Sequence, residues 1–152
     1  MNTMIRMASI DDLDSIVKLL KQGKLDIEGI ESNIQNFVVI ENVENGEILG
    51  TAGFEQIDES CGLLRSLALK EEAWSENLVL GLIRILLQLA VKKRIESIYL
   101  LTRSTTFFEM LGFEEVDYED AARLIQQSTH FAQYQPEVSS IMAYQLVDKF
   151  RF

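Results

Sequence analysis

One cysteine, one histidine, one proline and one tryptophan are all that the 152-residue chain contains of those residue types, and its 14 Lys+Arg are outnumbered by 24 Asp+Glu. Each scarcity excludes something. A single cysteine cannot form an internal disulfide framework, and a lone histidine beside it supplies no zinc quartet. The net charge of −10 argues against nucleic acid, whose capture relies on clustered Lys and Arg, and against the surface of an anionic membrane. No apolar stretch reaches the roughly 18 residues of a membrane span. The opening Met1-Asn2-Thr3-Met4-Ile5-Arg6 lacks the apolar run of a signal peptide, so a cytoplasmic protein is expected. What is present is a 47% hydrophobic content, enough to bury a core in one domain spanning 1–152.

The apolar pattern gives the order of elements. Residues 4–8 read as a strand. Asp11 and Asp12 suit a helix start, Leu13, Ile16, Val17, Leu19 and Leu20 recur at helical spacing, and Gly23 ends the run. A second helix is expected over 26–35 and a buried strand over 37–40. Asn45-Gly46 signals a two-residue hairpin into a strand over 48–57. Asp58-Glu59-Ser60 turns the chain into a third strand over 62–69. The longest helical stripe covers 76–93 and carries Lys92, Lys93 and Arg94 at its C-terminal end. A strand over 98–101, a short helix over 107–111 closed by Gly112, a strand from 113 to 116, a helix over 119–128 and a last strand over 140–147 complete the chain. A meander followed by a β-α-β crossover predicts an α/β (α+β) fold: a mixed, mostly antiparallel sheet with helices on both faces.

Several segments carry more than pattern. Gly62-Leu63-Leu64-Arg65-Ser66-Leu67-Ala68-Leu69 precedes the long helix, and Tyr99-Leu100-Leu101-Thr102 leads into Phe107-Phe108-Glu109-Met110-Leu111-Gly112-Phe113. With Ile27-Glu28-Gly29, Asn36-Phe37-Val38-Val39 and a late Pro136, these segments resemble the GNAT superfamily of N-acetyltransferases over nearly the whole chain. The chain looks closest to small amino-acid acetyltransferases of the N-acetylglutamate-synthase-like and arsenic-resistance-linked kind. The resemblance implies acetyl transfer from acetyl-CoA to the amine of a small, amino-acid-like acceptor, with no metal. It places the amides of Leu67, Ala68 and Leu69 along the pantetheine arm, although the same residues also suit a plain core strand.

The resemblance fails at one place. Relatives follow this strand with a loop of the form Arg/Gln-x-x-Gly-x-Gly/Ala that cradles the cofactor's pyrophosphate with backbone amides. Here the loop is Trp74-Ser75-Glu76-Asn77-Leu78-Val79, with no glycine between Gly62 and Gly81 and with Glu71, Glu72 and Glu76 crowding the position. Ser75 suits an N-cap and Glu76 a helix start. The segment reads as a good helix terminus and a poor anion cradle, which divides two readings: an active acetyltransferase, or an inactive GNAT-fold module that binds a metabolite or a protein.

Other side chains complete the candidates. Alternation puts Arg65 on the face of Leu63, Leu67 and Leu69, where it needs a partner: an acceptor carboxylate, or Glu55 across the hairpin. Glu55 is the most natural general base. Thr102, Ser104, Thr105 and Thr106 either touch the cofactor or cap the short helix. Many relatives use a Tyr there to protonate the departing thiolate. Phe107 and Phe108 cannot do so, and they suit core anchors, Phe108 also standing where cofactor would pass. His130 is read as structural, Cys61 as a small apolar residue, and Phe150 and Phe152 as docked on the domain or part of a homodimer contact.

Overall fold

A computed structural model describes residues 2–121 and 139–146. Among them are seven strands, β1 (Thr3–Met7), β2 (Phe37–Asn42), β3 (Ile48–Gln56), β4 (Cys61–Leu69), β5 (Ser97–Thr102), β6 (Glu114–Val116) and β7 (Ser140–Gln145). Their hydrogen-bonded order is β1-β2-β3-β4-β5-β7-β6. The β4–β5 pair is parallel, whereas β1–β2, β2–β3, β5–β7 and β6–β7 are antiparallel. Helices α1 (Leu13–Gln22), α2 (Glu76–Lys92) and α3 (Thr105–Met110) join short 3-10 turns at Ile10–Asp12, Glu31–Asn36 and Glu71–Ala73. This is the mixed, mostly antiparallel α/β architecture that the apolar pattern predicts. The chain divides into two compact units, Met1–Glu55 with Ser66–Leu89 and Gln56–Arg65 with Ala90–Phe152, so that β4 contributes to both.

In the first unit, α1 presents Ile16 and Leu20 to a core with Ile30, Phe37, Val39 and Ile48. Burying an aliphatic or aromatic side chain of this size contributes about 1.5–3 kcal/mol, which holds so short a helix in place. Phe37 lies opposite Gly53 in the β2–β3 register and is fully buried. A Cβ at Gly53 would come within 2.6 Å of that ring. Gly53→Ala is therefore expected to destabilise the fold by about 1–3 kcal/mol through overpacking, measured as a lower midpoint in urea at unchanged slope.

Arg6 of β1 ties this unit's edge together. Its guanidinium donates to both Asp12 carboxylate oxygens, at 2.8 and 2.9 Å, and to Glu41 Oε1 of β2 at 3.2 and 2.9 Å. The Ser9 N–H also donates to Asp12, at 2.8 Å. The Arg6 guanidinium, above all, holds the Asp12 carboxyl below the ordinary carboxylate range, against the opposing effect of burial.

The second unit packs Cys61, Leu63, Ala121 and Ile141 together, with Tyr99, Leu101 and Val116 against them. Cys61 is buried, as its apolar reading requires. Asp58 Oδ1 accepts from the Ser60 and Cys61 amides at 2.9 and 2.8 Å, which makes the expected turn into β4.

Two local expectations are corrected. Of the helix expected over 26–35, only a 3-10 turn over Glu31–Asn36 forms, with Gly29 at a left-handed φ of 75° before it. The Asn45-Gly46 hairpin is not a two-residue turn: Asn42 N–H bonds Glu47 O at 2.8 Å, and the Asn42 and Asn45 side chains accept from the Glu44 and Glu47 amides, building a longer loop. α1 ends at Gln22 with Gly23 as its C-cap, as expected, and Lys24 follows at a left-handed φ of 58°. Leu25 N–H reaches back to Leu20 O there and closes the helix end.

Candidate functional site

Strand β4 changes character along its length. Its parallel ladder to β5 covers Cys61–Leu63 against Ser97–Tyr99 and stops, although the strand continues to Leu69. The first six residues are buried, and Leu67, Ala68 and Leu69 are half-buried. The buried stretch ends at Ser66, whose φ of 62° is a left-handed conformation that costs a non-glycine residue about 1–2 kcal/mol. A left-handed residue interrupts the pleat, so the simple alternation that grouped Arg65 with Leu67 and Leu69 does not apply beyond Ser66.

Leu67, Ala68 and Leu69 line a cavity of about 690 Å³ within the first unit. The end of α1 closes it with Leu19, Gln22, Gly23 and Leu25, and Lys70, Glu71 and Glu72 form the remainder of its lining. The volume lies within the range of small-molecule and cofactor sites. Among the described residues, Lys70 is the one cation in its lining. The Lys70 amide is fixed by a 2.8 Å bond to Leu49 O, while its ammonium pairs with Glu47. That pairing holds the exposed Glu47 carboxyl below its ordinary range.

The segment from Trp74 to Val79 is built as a helix start. Ser75 Oγ accepts the Leu78 N–H at 3.0 Å, and Ser75 O accepts the Val79 N–H at 3.2 Å. The cap thus engages the Leu78 amide, one of those that a phosphate at a helix start would use, whereas the Val79 bond is the first of the helix ladder. Trp74 is 61% exposed, Glu76 and Asn77 are exposed, and Val79 is buried. The N-cap expected at Ser75 is present.

Glu55 is half-buried near the end of β3, and Arg65 is 3% exposed in β4; both are engaged within the fold. In the second unit Thr105 opens α3 and Phe108 is buried. The Phe108 ring meets Phe107 edge-on at 5.1 Å and Phe113 at 5.4 Å, the core-anchor arrangement. The Thr102 hydroxyl accepts the Ser104 N–H at 2.8 Å, and Ser104 makes no side-chain cap, so this cluster forms a turn before α3 rather than capping it. His130, Pro136 and the terminal Phe150 and Phe152 lie outside the described residues, as does most of the helix expected over 119–128. Among the described residues no three His, Cys, Asp or Glu side chains gather as a metal cage, and no helix is long and apolar enough to cross a membrane.

Sequence reasoning missed the left-handed Ser66 and the contribution of the α1 terminus to the cavity. A serine inside a strand pattern gives no warning of φ 62°.

The geometry can be set beside known proteins. A model of the acetyltransferase (GNAT) family matches residues 11–113. The uncharacterized protein YwlB of Bacillus subtilis (strain 168) is 30% identical over 132 residues, 85% of this chain and 87% of that one. Rv2747 from Mycobacterium tuberculosis, solved in complex with CoA, superposes with a TM-score of 0.75 at 19% identity over 93% of this chain and 98% of that one. N-acetylglutamate synthase from Neisseria gonorrhoeae, complexed with coenzyme A and N-acetyl-glutamate, gives a TM-score of 0.75 at 20% identity over 96% of this chain. The chain spans only 35% of that synthase. The two structural likenesses concern the fold.

Proposed function

The chain belongs to the acetyltransferase (GNAT) family, and on that footing we propose that it moves acetyl from acetyl-CoA to the amine of a small, amino-acid-like acceptor, with a weakened hold on the cofactor's diphosphate. The observation that carries this reading is the half-buried end of β4 beyond left-handed Ser66, lining a cavity of about 690 Å³. The CoA in Rv2747 and in the Neisseria synthase supports the cofactor class, and the N-acetyl-glutamate in the latter supports the acceptor class.

The thioester supplies an activated acetyl group. Transfer forms a C–N bond, breaks the C–S bond, releases CoA as its thiol and takes one proton from the amine. The backbone of Leu67, Ala68 and Leu69 holds the pantetheine arm, so that the reaction gains chiefly from positioning. Glu55 accepts the amine proton, directly or through water. Phe107 and Phe108 have no proton to give, so the departing thiolate is protonated from water.

The diphosphate end is where the hold is weak. The loop lacks glycine, the Leu78 amide is engaged, and Glu71 and Glu72 line the cavity. Losing one phosphate donor to the Ser75 cap, at about 1.5–3 kcal/mol, weakens binding about ten- to hundredfold, so a Kd for acetyl-CoA of about 10 μM would rise to roughly 0.1–1 mM. A thiol-release assay with acetyl-CoA and a panel of acidic, amide and basic amino acids tests the reading. Acceptor-dependent release with a KM for acetyl-CoA in that range is expected. The engaged Leu78 amide favours the second reading, an inactive binding module. That reading takes over if no acceptor releases thiol and millimolar acetyl-CoA gives no heat of binding.

A further inference from the structure

Resting on the reading that acetyl-CoA occupies the β4 cavity, we propose that Lys70 supplies the diphosphate contact that the glycine-free loop does not, and that Glu47 competes with the cofactor for it. Three observations carry this. Lys70 follows directly on Leu69 in the chain and is the cationic residue of a cavity whose neighbouring lining includes Glu71 and Glu72. Among two negative neighbours, a lone cation decides whether an anionic ligand is tolerated. The Leu78 amide at the start of α2 is committed to the Ser75 hydroxyl and the loop has no glycine, which leaves part of the task to a side chain.

Lys70 is also free to serve. Its backbone is pinned by Leu49, but its side chain is 28% exposed and pairs with a Glu47 side chain that is 42% exposed. Exposed ion pairs contribute little to stability, so exchanging one carboxylate for a doubly charged diphosphate is favourable. Lysine binds phosphate as a point charge on a flexible stem and tolerates such an exchange. Glu47 thereby sets a threshold: CoA has to displace it.

Calorimetric titration of the wild type, Lys70→Met, Lys70→Arg and Glu47→Gln with CoA, and with pantetheine, which has no diphosphate, tests the proposal. Lys70→Met is expected to weaken CoA about tenfold, to flatten the salt dependence of its binding and to leave pantetheine within about twofold. Lys70→Arg restores most of the CoA affinity. Glu47→Gln tightens CoA about two- to fivefold and leaves pantetheine unchanged. If the wild type binds CoA but Lys70→Met leaves its affinity unchanged, or weakens CoA and pantetheine alike, the role of Lys70 is overturned and the cavity assignment stands. If the wild type binds neither ligand at millimolar concentration, the cavity assignment falls and the role of Lys70 with it.

Discussion

Arg6→Met is expected to lower folding stability by about 2–3 kcal/mol at pH 7 and by progressively less as pH falls below about 4. The Arg6 fork meets both oxygens of Asp12, whose side chain is only 9% exposed, and also Glu41. Without it a nearly buried carboxylate retains only Ser9, through its amide at 2.8 Å and its hydroxyl at 3.5 Å. Removing one partner of a fully buried pair costs about 3–5 kcal/mol, and the 30% exposure of Arg6 reduces that figure. The sign with pH follows from the direction of the Asp12 shift. Its folded pKa lies below its ordinary value, so the contribution is present above about pH 4 and lost as pH falls through the depressed folded value. Arg6 stays charged throughout. Urea unfolding of both proteins at pH 7 and pH 3 reads the difference directly. An equal penalty at both pH values would mean that Arg6 acts by packing alone.

Ser66→Val is expected to destabilise the protein by about 1–2 kcal/mol and to reduce kcat/KM for acetyl transfer by roughly a hundredfold. A β-branched residue is strained at φ 62°, so the variant relaxes by straightening β4. That moves Leu67, Ala68 and Leu69, which line the cavity. An ångström of misplacement is enough for an effect of this size. Ser66→Gly accepts the same backbone without strain and is expected to retain activity, despite losing the serine's own contact. A fully active, fully stable Ser66→Val protein would detach the left-handed conformation from the function.

Much of the fold was legible in the sequence because burial has a period. The helical stripe of Ile16, Leu19 and Leu20, the continuous apolar run of β2 and the long stripe of α2 all form elements near their expected bounds. What escaped was local and set by hydrogen bonding rather than by apolar spacing. Asparagine side chains close the loop after β2 and lengthen it beyond two residues. Resemblance singled out Leu67, Ala68 and Leu69, which line the cavity, and residue type singled out the Ser75 cap, which forms. The left-handed Ser66 was not, because nothing in Leu-Arg-Ser-Leu distinguishes a kinked strand from a straight one. Lys70 gains meaning only once the cavity and the Glu47 pairing are known.

The proposed place of acetyl-CoA is the end of β4. Backbone amide hydrogen exchange, resolved by residue and measured with and without millimolar acetyl-CoA, tests this most directly. Slower exchange at Leu67, Ala68 and Leu69 when acetyl-CoA is present is the predicted result. Unchanged exchange at those three amides, or protection confined to other strands, would contradict it.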